Sequence, residues 1–127
     1  MNYDEIKDRL KDIKIENFIW IIYIGIIILS YYSNSLEKEY ILYNNLNSKE
    51  KYRKIIIIIF SILVIVYLYF FISSYNDIKY IDLNNLSEKD YLLLLSFIGS
   101  LLILISGIIF LYIAYKDKDI NVELAFN

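Results

Sequence analysis

The chain has 127 residues, a net charge of −2 and no cysteine or histidine. That length has room for one domain. Disulfides, thiolate chemistry and histidine-based catalysis or metal binding are excluded. The near-neutral charge, with acids beside bases in every hydrophilic segment, gives no basic surface for a nucleic acid.

Hydrophobic residues make up 58% and charged residues 22%. The charges are segregated: three long runs, 17–36, 55–76 and 91–115, contain none. Each is about 20 residues or more, enough for a hydrocarbon core of roughly 30 Å at about 1.5 Å per residue. The runs are rich in β-branched Ile, which in water favours strands. In lipid an isolated apolar segment must pair its amides internally, so each is expected to be a helix. The chain reads as an all-α integral membrane protein with three transmembrane helices and an additional amino-terminal amphipathic helix.

That first element covers 1–16. Tyr3, Ile6, Leu10 and Ile13 share one face at helical spacing, opposite Asp4, Lys7, Asp8 and Lys11. It could lie in the bilayer interface, pack against the projecting stalk of helices 1 and 2 or a neighbouring subunit, or stay disordered. Five acids precede the first uncharged run and no small-residue cleavage site follows it, which argues against a cleavable signal peptide.

Helix 1 is expected over 17–43 and helix 2 over 49–76, as a long antiparallel hairpin whose tip stands outside the bilayer. Asn44, Asn45, Asn47 and Ser48 supply turn and capping residues, with Ser48 taken as the N-cap. The stretch 76–86 has no period and reads as a loop. Ser87 and Asp90 form a capping-box pattern that opens helix 3, expected over 88–116. A polar tail, 117–127, follows; it is expected to fray or to dip Val122, Leu124, Ala125 and Phe126 into the interface.

Aromatic residues mark the ends of the runs: Trp20, Tyr23, Tyr31 and Tyr32 on the first, Tyr112 and Tyr115 on the third. Such amphipathic rings favour the headgroup level. Three spans put the amino terminus and the 77–90 loop on one side, and the 37–54 loop and the tail on the other. Lys and Arg number 6 and 7 on the two sides. The Lys51, Arg53 and Lys54 cluster abutting a span favours the second side as cytoplasmic.

Within the runs no Asp, Glu, Lys or Arg marks a coupled-transport pathway, and no P-loop, dinucleotide, zinc or nucleophile-elbow motif occurs. The one patterned intramembrane feature is on helix 3. Ser96, Gly99, Ser100, Ser106, Gly107 and Ala114, with Ile103 and Phe110 among them, fall on one side. Small residues so spaced permit close helix approach. They would pack within the subunit, pack between subunits, or line a pore. Asp117, Asp119, Asn121 and Glu123 imitate the start of a calcium loop without its Gly and terminal Glu, so a solvated tail is expected. The Asn85-Leu86-Ser87 sequon competes with the capping role of Ser87.

In hydropathy layout, three spans in a short chain with a charged tail resemble the three-span phage holins; no motif carries that resemblance and no family follows from it. Three helices enclose little space of their own, so function by association is expected. The leading reading is a non-enzymatic protein of a cell membrane, of low-GC bacterial composition, that homo-oligomerises into a pore or permeability-altering assembly. The alternative is an accessory or scaffolding subunit bound to another membrane protein. A lipid-acting enzyme would have to gather a metal with loop acids such as Asp77, Asp82, Glu88 and Asp90. No cofactor is expected, and the partner common to all readings is the lipid bilayer.

Overall fold

A computed structural model describes residues 2–124. The chain forms three long α-helices: α1 (Tyr3–Tyr43), α2 (Leu46–Ile78) and α3 (Glu88–Lys116). All three are long and apolar enough to cross a membrane.

The first helix corrects the expectation of a separate element over 1–16. Asn2 caps its start, accepting from the Glu5 amide at 2.8 Å while the Glu5 carboxylate reaches back to the Asn2 amide. The helix then runs unbroken for 41 residues. Neither Gly nor Pro lies between Ile13 and Asn17, so nothing stops the amphipathic turns from continuing into the apolar ones. Tyr3, Ile6, Leu10 and Ile13 all remain exposed on these first turns.

α1 ends as Asn44 turns into the left-handed region at φ 51°, its N–H bonded to the Tyr40 carbonyl at 2.8 Å. Asn tolerates that conformation better than most residues. α2 starts at Leu46, three residues before the expected Lys49. Asn45, rather than Ser48, is the cap: its side-chain oxygen accepts from the amides of Asn47 and Ser48. Ser48 is instead buried and donates to the Glu39 carboxylate at 2.7 Å. α2 continues two residues past Asn76, to Ile78. Ser87 caps α3 in a capping box with Asp90.

The helices form a layer with α2 in the middle. α1 and α3 each pack on α2 and, among the described residues, not on each other. Buried Ile19, Ile26 and Ser33 recur every seven residues along α1, and Tyr52, Ile56, Ile59, Leu63 and Val66 alternate steps of four and three along α2. This is the seam of helices that wind gently around one another. Ser33 is wholly buried, its hydroxyl satisfied by the Ser30 carbonyl at 2.8 Å. Phe60, on α2, stacks on Phe110 of α3 at 5.7 Å. Outside these seams the helices are apolar and exposed, Ile21, Ile24, Ile27 and Ile28 among them.

The tail is not a frayed polar segment. Ile120 takes a left-handed conformation (φ 56°), and Asp117 accepts from the Val122 amide at 2.7 Å, turning the chain back. Leu124 is buried in the core cluster with Leu36, Tyr52 and Ile56, and Ile120 packs against that cluster. Burying two aliphatic side chains opposes the entropy of ordering the segment. Ala125 and Phe126 lie outside the described residues.

Candidate functional site

Since α1 and α3 do not meet, one face of α2 lies open between them. Three adjoining hollows occupy that face. One of about 470 Å³ is lined by Trp20, Tyr23, Ile26 and Ser30 of α1 with Leu63 and Tyr67 of α2. A second, about 400 Å³, runs from Tyr23 and Tyr67 to Ser96, Gly99, Ser100 and Ile103 of α3. A third, about 230 Å³, lies between Phe60, Tyr67 and the Ser106–Phe110 turn of α3. Tyr67 borders all three, so they form one groove running beside it.

The small residues of α3 divide across this groove. Gly107 and Ala114 are buried. A Cβ on Gly107 would stand 2.9 Å from Tyr67 Cδ2 and 3.4 Å from Val64 Cγ2, so only Gly lets α3 approach α2 there. Ser100 reaches across to Ser74, their hydroxyls hydrogen-bonded at 3.0 Å. Ser96 and Ser106, by contrast, are exposed in the groove, and a Cβ on Gly99 would meet nothing within 4 Å. The stripe therefore serves two surfaces: Ser100, Gly107 and Ala114 face α2, while Ser96, Gly99, Ile103 and Ser106 line open space. Sequence periodicity locates such a stripe but carries no information on what faces it.

The groove is apolar apart from hydroxyls. Among the described residues, those of Tyr23, Tyr67, Ser96 and Ser106 make no hydrogen bond. The aromatic residues picked out as interface markers also divide. Trp20 and Tyr23 meet edge to face at 5.6 Å and border the groove. Tyr31 and Tyr32 are exposed on α1. Tyr112 and Tyr115 flank Lys116, whose ammonium lies 5.9 and 5.8 Å from their ring centres.

A second constellation, outside the apolar runs, was not visible in the sequence. The returning tail seats against α2: Lys49 pairs with Asp119 at 3.1 Å, and the Arg53 guanidinium donates to the Tyr115 carbonyl at 3.3 Å. The Asp119 carboxylate beside it raises the affinity of Lys49 for its proton. Asp117 spends its oxygens on the amides of Asn121, Val122 and Asp119, which holds its carboxyl below the usual range. Those oxygens are thus committed to the turn rather than to an alternating calcium-loop pattern. Burial pushes the Glu37 carboxyl up, against the bond it makes with the Tyr52 hydroxyl and together with the nearby charge of Glu123. The Arg53 Nε is buried without a partner, beside a cavity of about 20 Å³. That is room for about one water molecule.

No protein-family model, curated protein or solved structure matches the chain.

Proposed function

We propose that this chain is a small, non-enzymatic integral membrane protein of a bacterial cell membrane whose copies associate into a pore or permeability-altering assembly. In this reading the three helices cross the bilayer. α1 and α2 do so as a long antiparallel hairpin, an arrangement supported by the Glu39–Ser48 bond near one end and the Asp12–Ser73 neighbourhood near the other.

The observation that carries the proposal is the groove on α2 with its unpaired hydroxyls. A hydroxyl left without a partner in an apolar medium costs roughly 1–3 kcal/mol. Lipid tails cannot relieve that cost. A helix from a second copy can, because exposed Ser96 and half-buried Gly99 allow its backbone to come close. Copies that interlock through these grooves would bring Tyr and Ser hydroxyls together, the kind of lining a polar path through a membrane needs.

Purified full-length chain should run as a discrete oligomer in mild detergent and make phospholipid vesicles leak an entrapped dye. Gly99→Leu should fill the groove, break the oligomer and abolish leakage. A monomer with tight vesicles would defeat the proposal.

A second reading, an accessory subunit, is favoured by the helix turn. Ile41, Leu42, Tyr43 and Leu46 are all exposed there, beyond the uncharged runs of both helices. Apolar side chains clustered on a projecting tip suit a partner protein.

A further inference from the structure

The three uncharged runs do not lie level. At one end they agree: Glu37 of α1 bonds Tyr52 of α2, and Arg53 of α2 bonds the Tyr115 carbonyl of α3. Each helix meets its first charges there, at Glu37, Lys54 and Lys116.

At the other end they part. Tyr69 is seven residues inside the end of the second run at Asn76. Yet charged turns of α1 lie beside it. Arg9 and Glu16 pair at 3.3 Å on the same stretch. Asp8, Lys11 and Asp12 share a hollow of about 340 Å³ with Tyr69, Ser73, Asn76 and Asp77. On the opposite flank of α2 the neighbours are uncharged. Phe71 and Tyr75 stack on Phe97 at 5.3 and 6.3 Å, and Ser74 meets Ser100. The third run extends six residues further out, to Tyr91.

Since Ile15 of α1 shares the hollow with Ser73 of α2, all three helices are free of charge together only from about Ile55 to about Phe71 of α2. That is about 25 Å at ~1.5 Å per residue, short of the roughly 30 Å hydrocarbon core. The shortfall is set at one end by Lys54 of α2 and at the other by Glu16, on the α1 flank. Charged side chains there are costly in hydrocarbon, and a bilayer yields locally by thinning and admitting water.

We propose that the first turns of α1, held against Tyr69–Asp77 of α2, form a polar notch that draws lipid headgroups and water into one leaflet as far as Ser73, while the α3 flank keeps that leaflet at ordinary thickness. This rests on the membrane-spanning reading above, and it would supply a local weakness in the bilayer even around one copy.

With no native cysteine, single nitroxide labels can be placed at Ser73→Cys, Leu95→Cys and Ile24→Cys in full-length chain. The chain is reconstituted in vesicles of phosphatidylcholine with 18-carbon tails. The Ser73 label should be several-fold more accessible to a water-soluble nickel relaxant than the Leu95 label, although Leu95 lies two residues outward of Phe97, which stands against Phe71 and Tyr75 at the level of Ser73. The Ile24 label should be inaccessible. Adding Asp12→Leu and Glu16→Leu should dry the Ser73 label while circular dichroism keeps its helical signal. A Ser73 label as dry as that at Ile24, or one indifferent to the two leucines, would overturn the notch alone. A wet Ile24 label would overturn the membrane-spanning reading and the notch with it.

Discussion

The two halves of α3 differ in how they meet α2. Every buried residue of α3, namely Leu104, Gly107 and Ala114, lies in its carboxyl-terminal half. That half is further braced by the Phe60–Phe110 stack and by the returning tail. The amino-terminal half touches α2 through Phe97 and Ser100 and leaves Gly99 facing empty space. Packing is thus tightest at one end of the layer, while the groove, which narrows toward the Ser106–Phe110 turn, is wider at the other. Stability and association are expected to map to different ends of the same helix.

The sharpest way to break this division is to attack the scaffold. Phe60 is 1% exposed at the centre of the packed half. Phe60→Ala should cost about 3 kcal/mol, since it removes a buried ring and leaves a cavity. A large fall in thermal midpoint in detergent would be the readout. A shift no larger than that of a surface change would mean the core lies elsewhere.

The two glycines give the next test. Gly107→Leu must displace the Tyr67 ring and should cost about 1–3 kcal/mol by overpacking. A Cβ on Gly99 meets no atom within 4 Å, so Gly99→Leu should leave the unfolding midpoint of the monomer unchanged. Equal destabilisation by both would erase the distinction between the two halves. A smaller effect belongs to Ser100→Ala, which loses the bond to Ser74 and should cost about 0.6 kcal/mol, typical of interhelical hydrogen bonds in membranes.

This division also marks how far the residues alone could be read. Three apolar lengths are legible because charge segregation is a one-dimensional signal, and the Ser87–Asp90 cap is legible because its partners are three residues apart. The start of α1 was misplaced because a change from amphipathic to apolar composition resembles a boundary, whereas only a breaker makes one. Asn45 and Ser48 are both good caps, and the choice between them turns on Glu39, which claims Ser48 from another helix. The split of the α3 stripe, the open face between α1 and α3, and the stagger of the runs all depend on which helix neighbours which. That information is three-dimensional. The tail was misread for the same reason: Leu124 is one leucine among polar residues until Leu36 and Tyr52 are placed beside it.

The smallest effect concerns that tail. The Asp117 carboxyl is depressed by the amides it accepts from. Its contribution to the docked turn is therefore complete above the ordinary carboxylate range and is lost as pH falls through its lowered value. Glu37 works in the opposite sense. Its carboxyl is raised by burial and by Glu123, so its charge opposes docking at neutral pH, and that opposition fades as pH falls through its raised value. Acidification from neutrality should first tighten the tail slightly, through Glu37, and then release it, through Asp117. A spin label at Val122→Cys should show mobility passing through a shallow minimum in mild acid before rising. Glu37→Gln should remove the minimum and keep the rise, and Asp117→Asn should leave the label mobile at every pH. A monotonic rise in the unmodified background would show that Glu37 does not oppose docking.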